Sequence, residues 1–202
     1  VMTLTATFGD LVSGVSETDF PLSVPSGMSV TKTLSPVGSV PTAQWVLTLT
    51  VQSGLTAGPV TVQAMPAGSG SIAPTNLAGA GDFTFDYQPP TPVYTSSDPD
   101  PVRGGPLTVT ISFGSAVTGL AVNHFSVNSG SVARTFSLAP SGNDYVLTIQ
   151  LLGGFAPASI TVSALGEKAA GVSPPNAASA GGYTFNYQPP RPTYSSALGV
   201  SG

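Results

Sequence analysis

Hydrophobic and polar residues alternate along this chain in short runs, and the runs come in matched pairs. Leu107, Val109, Ile111 and Phe113 fall on one side of an extended segment, with Thr108, Thr110 and Ser112 on the other. Met2, Leu4, Ala6 and Phe8 repeat the pattern 105 positions earlier. Period two with β-branched polar partners predicts a strand with one face in a core and one in water. Tyr145, Leu147, Ile149 and Leu151 pair in the same way with Trp45, Leu47, Leu49 and Val51. Ile160, Val162 and Ala164 match Val60, Val62 and Ala64, and Tyr183, Phe185 and Tyr187 match Phe83, Phe85 and Tyr87. Shorter strands are predicted near residues 125–128 and 132–138, and no segment carries a helical stripe. Breaks rich in Gly, Pro, Ser and Asn separate the runs, which is the pattern of an all-β sandwich.

The pairing extends to identity. Residues 183–192, Tyr-Thr-Phe-Asn-Tyr-Gln-Pro-Pro-Arg-Pro, restate residues 83–92, Phe-Thr-Phe-Asp-Tyr-Gln-Pro-Pro-Thr-Pro. A period near 100 residues is one small domain rather than a solenoid turn. The expected organisation is therefore module one over 1–90, module two over 91–190, and a tail over 191–202. The expected cores hold Phe8, Phe20, Leu47, Val62 and Phe85 in one module and Phe113, Phe125, Leu147, Val162 and Phe185 in the other. The offset shrinks from 105 to 100 along the module, which places extra residues of module one around 25–28 and 37–42, where surface loops tolerate them. Gln88, Pro89, Pro90, Thr91 and Pro92 stiffen the junction and predict an end-to-end arrangement.

The frame of the repeat is shifted. Val93 and the residues after it read as the first strand of module two, whereas module one opens at what reads as its second strand. The segment Arg191, Pro192, Thr193, Tyr194, Ser195 and Ser196 echoes residues 91–96 and is the candidate strand-donation segment. An open sheet edge offers unpaired N–H and C=O groups that accept an added strand. A head-to-tail contact of that kind between copies need not close into a ring.

Module two reads Thr108 to Leu120, then Phe125-Ser126-Val127 and Ser129-Gly130-Ser131-Val132. Module one reads Thr5-Ala6-Thr7-Phe8-Gly9-Asp10-Leu11-Val12-Ser13-Gly14, followed by Thr18-Asp19-Phe20. This order of motifs resembles bacterial immunoglobulin-like (Big-type) repeats of extracellular adhesins and surface proteins. A Ser-Glu pair commonly follows the Phe in that family; Gly9-Asp10 and Gly114-Ser115 stand there instead. The resemblance spans nearly the whole chain, twice. It implies two tandem immunoglobulin-like antiparallel β-sandwich modules in an extracellular array that spaces or builds surface structures, and it does not imply an enzyme.

Composition narrows the partners. Only 7% of residues are charged, far below the roughly 25% of an average soluble protein. A surface of Ser, Thr, Gly, Ala and Asn repels its neighbours weakly, which favours packing into assemblies. Lys32, Arg103, Arg134, Lys168 and Arg191 are scattered singly, so nucleic acid has no basic stripe to follow. No apolar run reaches the ~18 residues of a membrane span. With no Cys, disulfides and thiolate metal sites are excluded. The shortage of Lys and Glu points to an extracellular, cell-surface or appendage setting.

Catalytic chemistry finds little support. The single His, His124, has Asp19 as its counterpart and is expected on the wet face of a strand. Asp144 and Glu167 face Gln44 and Ala67 in the repeat, so no acid pair recurs. Asp98 and Asp100 form the candidate Ca²⁺ site near the linker, short of the 6–8 oxygens a calcium ion takes. Trp45, like its counterpart Tyr145, is expected in the core, with a ring stacking on a sugar as the alternative. Lys32 and Lys168 do not stand where a Lys–Asn cross-link would need them. Two classes of function follow: a structural repeat whose partners are its own copies or neighbouring repeats, and a module binding a sugar, ice or a protein through the loops of residues 23–42.

Overall fold

The alternating runs form the strands they predict, and the computed structural model describes residues 1–195. The chain divides after Pro89 into two units, each with its own contacts. Unit 1 contains β1 (Met2–Val12), β2 (Leu22–Ser23), β3 (Ser29–Pro36), β4 (Thr42–Ser53), β5 (Gly58–Val62) and β6 (Phe83–Tyr87). They make two antiparallel sheets, in the orders β3-β4-β1 and β2-β5-β6. Unit 2 contains β7 (Val93–Thr95), β8 (Leu107–Ser112), β9 (Val127–Asn128), β10 (Ala133–Ser141), β11 (Asp144–Gly153), β12 (Ala158–Val162) and β13 (Tyr183–Tyr187). Its sheets run β10-β11-β8-β7 and β13-β12-β9.

Matched residues occupy matched registers. Trp45 lies opposite Ala6 and Tyr145 opposite Ile111; Val60 lies opposite Phe85 and Ile160 opposite Phe185. The inward residues of both sheets meet in a sandwich-like core. In unit 2 a single cluster joins Val109, Ile111, Leu147 and Ile149 of one sheet to Val127, Ile160, Val162 and Phe185 of the other. Leu47, Leu49, Val60, Val62 and Phe20 are buried at the corresponding places in unit 1.

The strand expected near residues 125–128 is shorter than the pattern suggests. Residues Val122–His124 coil into a 3₁₀ turn first, as Glu17–Asp19 do in unit 1. The cause is local. The Asp19 carboxylate accepts the Ser16 N–H at 2.8 Å, and the Nδ1 of His124 accepts the Ala121 N–H at 3.1 Å. Both side chains satisfy a backbone donor that the turn leaves free.

Two glycines recur because the backbone passes too close for a side chain. Gly14 and Gly119 have φ of +77° and +79°, and a Cβ there would run into the carbonyls of Ser71 and Gly171. That approach lets Ser13 bond Ala73, and Thr118 bond Ser173, in both directions. Each pair ties the segment after the first long strand to the loop that precedes the last one.

The two cores are not equally closed. Phe113 and Phe185 are buried as expected, but their counterparts Phe8 and Phe85 are only half-buried. Met2, Leu4 and Ala6 are likewise half-buried, whereas Leu107, Val109 and Ile111 are fully enclosed. The reason lies at the sheet edge.

Candidate functional site

In unit 2 the outer edge of β8 is covered by β7, with Val93 opposite Ser112, Tyr94 opposite Ile111 and Thr95 opposite Thr110. In unit 1 the equivalent strand, β1, is itself the edge of its sheet among the described residues. Beside it lies a groove of about 550 Å³, lined by residues that include Ala6, Phe20, Met65, Leu77 and Gly79.

These five positions name what the groove corresponds to. Their counterparts in unit 2 are Ile111, Phe125, Leu165, Ala177 and Ser179, and each of them meets the β7 segment. Tyr94 opposes Ile111, and its ring packs edge-on against Phe125 with centroids 6.5 Å apart. Its hydroxyl lies by Ser179 and the Leu165 backbone. Ala177 donates its N–H to the Pro90 carbonyl at 2.8 Å. The groove of unit 1 is therefore the place that the first strand and its tyrosine fill in unit 2.

Exposure follows the same line. Leu77 is 88% exposed where Ala177 is 7% exposed, and Phe83 is 48% exposed beside the half-buried Phe85. Phe83 and Phe85 stack edge-to-face at 5.0 Å, as Tyr183 and Phe185 do at 4.9 Å. The scaffold is conserved between the units while its apolar cover differs.

One wall of the groove is a loop organised by Asn76. Its Oδ1 accepts the Ser69 N–H at 2.9 Å, and its Nδ2 donates to the carbonyls of Pro66 and Leu77, both at 2.9 Å. Asn176 makes the same set with Ala169, Gly166 and Ala177, and is fully buried. The asparagine thus fixes the loop position from which residue 177 reaches Pro90. Residue 77 stands at the same place in the open groove.

Tyr94 itself is under electrostatic pressure. Burial pushes its hydroxyl above the usual phenol range, and the proximity of Ser179 and the Leu165 backbone offsets this in part. Neither neighbour meets it with hydrogen-bond geometry, so the oxygen is buried without a partner. The Ser179 hydroxyl is engaged elsewhere, accepting the Leu165 N–H at 2.9 Å.

The other candidate residues are placed as follows. Trp45 is 6% exposed on the inner face of β4, so its ring has no open face for a sugar; its Nε1 is buried without a partner. Its counterpart Tyr145 donates to the Val117 carbonyl at 3.0 Å. Asp98 accepts the Thr108 N–H at 2.6 Å and lies within 3.3 Å of the Thr108 hydroxyl, which staples the turn ahead of β8; Asp100 is exposed. Among the described residues no three His, Asp or Glu gather as metal ligands would. Lys32 donates to the carbonyls of Glu17 and Phe20 at 2.6 and 2.7 Å. Its counterpart Arg134 donates to the Val127 carbonyl. Both cations stitch the short strand segment to the neighbouring long hairpin.

Of the strand-donation segment, Arg191, Pro192, Thr193, Tyr194 and Ser195 are described; Ser196 lies outside the described residues. The five carry no strand structure, and Tyr194 is 93% exposed. Among the described residues no helix is long and apolar enough to cross a membrane. Comparison with known protein families, curated proteins and solved structures gave no match.

Proposed function

We propose that this chain is a pair of immunoglobulin-like sandwich modules, of the bacterial immunoglobulin-like kind, serving as a building block of an extracellular surface or filamentous appendage. The observation that carries the reading is which side chains the two units share. Phe20/Phe125, Gly14/Gly119, Asn76/Asn176 and Lys32/Arg134 recur in the same structural jobs. His124 and Asp19 differ in chemistry yet hold the same turn. What is duplicated is a means of folding, and ionisable groups are used as local staples. A sparsely charged surface supports the same reading, because contacts between copies then desolvate few ions. Thr-, Ser- and Gly-rich composition supports the extracellular setting.

One observation favours a second reading, a module that binds a glycan or protein. Val37 and Val40 are about half exposed between β3 and β4, in a connection longer than its counterpart in unit 2. A glycan array probed with the full chain separates the two. The building-block reading expects no selective binding. Selective binding that disappears when residues 37–41 are replaced by a short turn would transfer the function to that hairpin.

A further inference from the structure

The geometry points to a specific occupant for the groove beside β1: the segment from Pro190 to Ser195 of a second copy of this chain, with Tyr194 as its anchor. The inference rests on the building-block reading and adds the contact by which the blocks join.

A void of about 550 Å³ also falls in the range of small-molecule sites. Its placement decides against that. It runs along a sheet edge whose N–H and C=O groups face outward, and strand addition satisfies those groups in a way a small apolar ligand does not. Its lining also occupies, position for position, the places that surround Tyr94 in unit 2, with Phe20 standing for Phe125.

The chain contains a second version of the strand that fits. Pro90-Thr91-Pro92-Val93-Tyr94-Thr95 builds β7 and delivers Tyr94; Pro190-Arg191-Pro192-Thr193-Tyr194-Ser195 repeats its prolines and its tyrosine. In both, the residues flanking Tyr are β-branched or hydroxylated, which suits the wet face of an edge strand. Tyr194 is 93% exposed, so a large aromatic ring lies in water while the apolar groove of unit 1 lies open.

Transferring the register of β7 on β8 to β1 sets the contact. Thr193 would pair with Thr7, Tyr194 with Ala6 and Ser195 with Thr5. Ala6 is smaller than its counterpart Ile111, and Gly79 is smaller than Ser179, so the unit 1 site leaves the incoming ring more room. The Leu77 N–H would take the Pro190 carbonyl, as Ala177 takes Pro90. Leu77, which lines the groove, would be covered in the process. Groove and segment are different surfaces of the chain, so the contact is head-to-tail and joined copies extend as an open series unless geometry closes them.

The absence of native Cys makes the register directly testable in the full chain. Thr7 and Thr193 are both exposed, so Thr7→Cys and Thr193→Cys leave the cores untouched. Directly opposed strand residues lie at Cα separations of about 4.5–5.5 Å, within disulfide range. The two single-cysteine chains, mixed and oxidised, are expected to form a disulfide heterodimer. A Thr3→Cys chain, displaced by about 13 Å along β1, is expected not to pair with Thr193→Cys. Sedimentation velocity on cysteine-free chains is expected to show concentration-dependent association. Tyr194→Ala weakens it about 30-fold, the loss typical of a buried aromatic anchor, and Tyr194→Phe retains it. Equal cross-linking through Thr3, unchanged association of Tyr194→Ala, or a monomer that forms no cross-link would each overturn the proposal. None of these outcomes touches the building-block reading, which the glycan array tests separately.

Discussion

Asn176 shows how much one residue can organise when it is fully buried. It engages Ala169, Gly166 and Ala177 at once, and removing it leaves a donor and two acceptors without the side chain that joins them. Asn176→Ala is expected to lower the stability of unit 2 by about 2–4 kcal/mol in thermal unfolding. Asn76→Ala breaks the same bonds at a half-exposed position, where water can replace them, and is expected to cost about half as much. Tyr94 behaves in the opposite way, because its hydroxyl contributes no bond. Tyr94→Phe removes an unpartnered buried oxygen and is expected to leave stability at neutral pH unchanged or raise it by about 1 kcal/mol. The pH dependence has a definite sign. A phenol whose pKa is raised by folding stabilises fully below the ordinary value of about 10, and that contribution is lost as pH rises through the folded value. The difference in melting temperature between Tyr94→Phe and the parent should therefore widen in favour of the variant as pH increases beyond about 10.

At the scale of elements, the contrast between β1 and β8 carries the argument. Both present Phe at the end of the same alternating run, yet Phe113 is buried in the core of unit 2 and Phe8 borders an open groove. Phe113→Ala is expected to cost about 3–5 kcal/mol, since it leaves a cavity in a closed core. Phe8→Ala removes a ring that already meets solvent, and about 1–2 kcal/mol is expected. Equal losses in chemical denaturation would mean that the groove is closed in solution. The strands themselves were legible from period two, because outer and core residues alternate along β8, along residues 45–51 of β4, along residues 147–151 of β11 and at the end of β12. The shifted frame of the repeat also drew attention to the outer edge of β1, which among the described residues is the edge of its sheet. The 3₁₀ turns were not legible, since three residues are too few to show a period, and His124 was expected on a strand in consequence. The groove's true size was also hidden. The burial of Phe8 and Phe85 depends on a neighbouring strand, and alternation along their own strands says nothing about whether that neighbour is present. Trp45 and Tyr145 look alike in sequence, and only the packing shows that the indole has no acceptor where the phenol has the Val117 carbonyl.

For the whole molecule, the open groove predicts unequal units. Each unit has a separate sandwich-like core, so calorimetry is expected to resolve two transitions rather than one. Unit 1 should melt first: the inner face of β1 is half-buried, and its edge lacks the strand bonds that β7 gives to β8. A partner that binds only the folded form raises stability by mass action, by about 2.7 kcal/mol at a hundredfold excess over its dissociation constant. If the groove takes a strand from another copy, the lower transition must climb as protein concentration rises, while the upper one stays fixed because its edge is already filled from within unit 2. Tyr194→Ala should flatten that climb without moving the lower transition at high dilution, where little strand is supplied. A lower transition that ignores concentration in the parent chain would show that the strand edge of unit 1 stays uncovered, whatever else the copies do to one another.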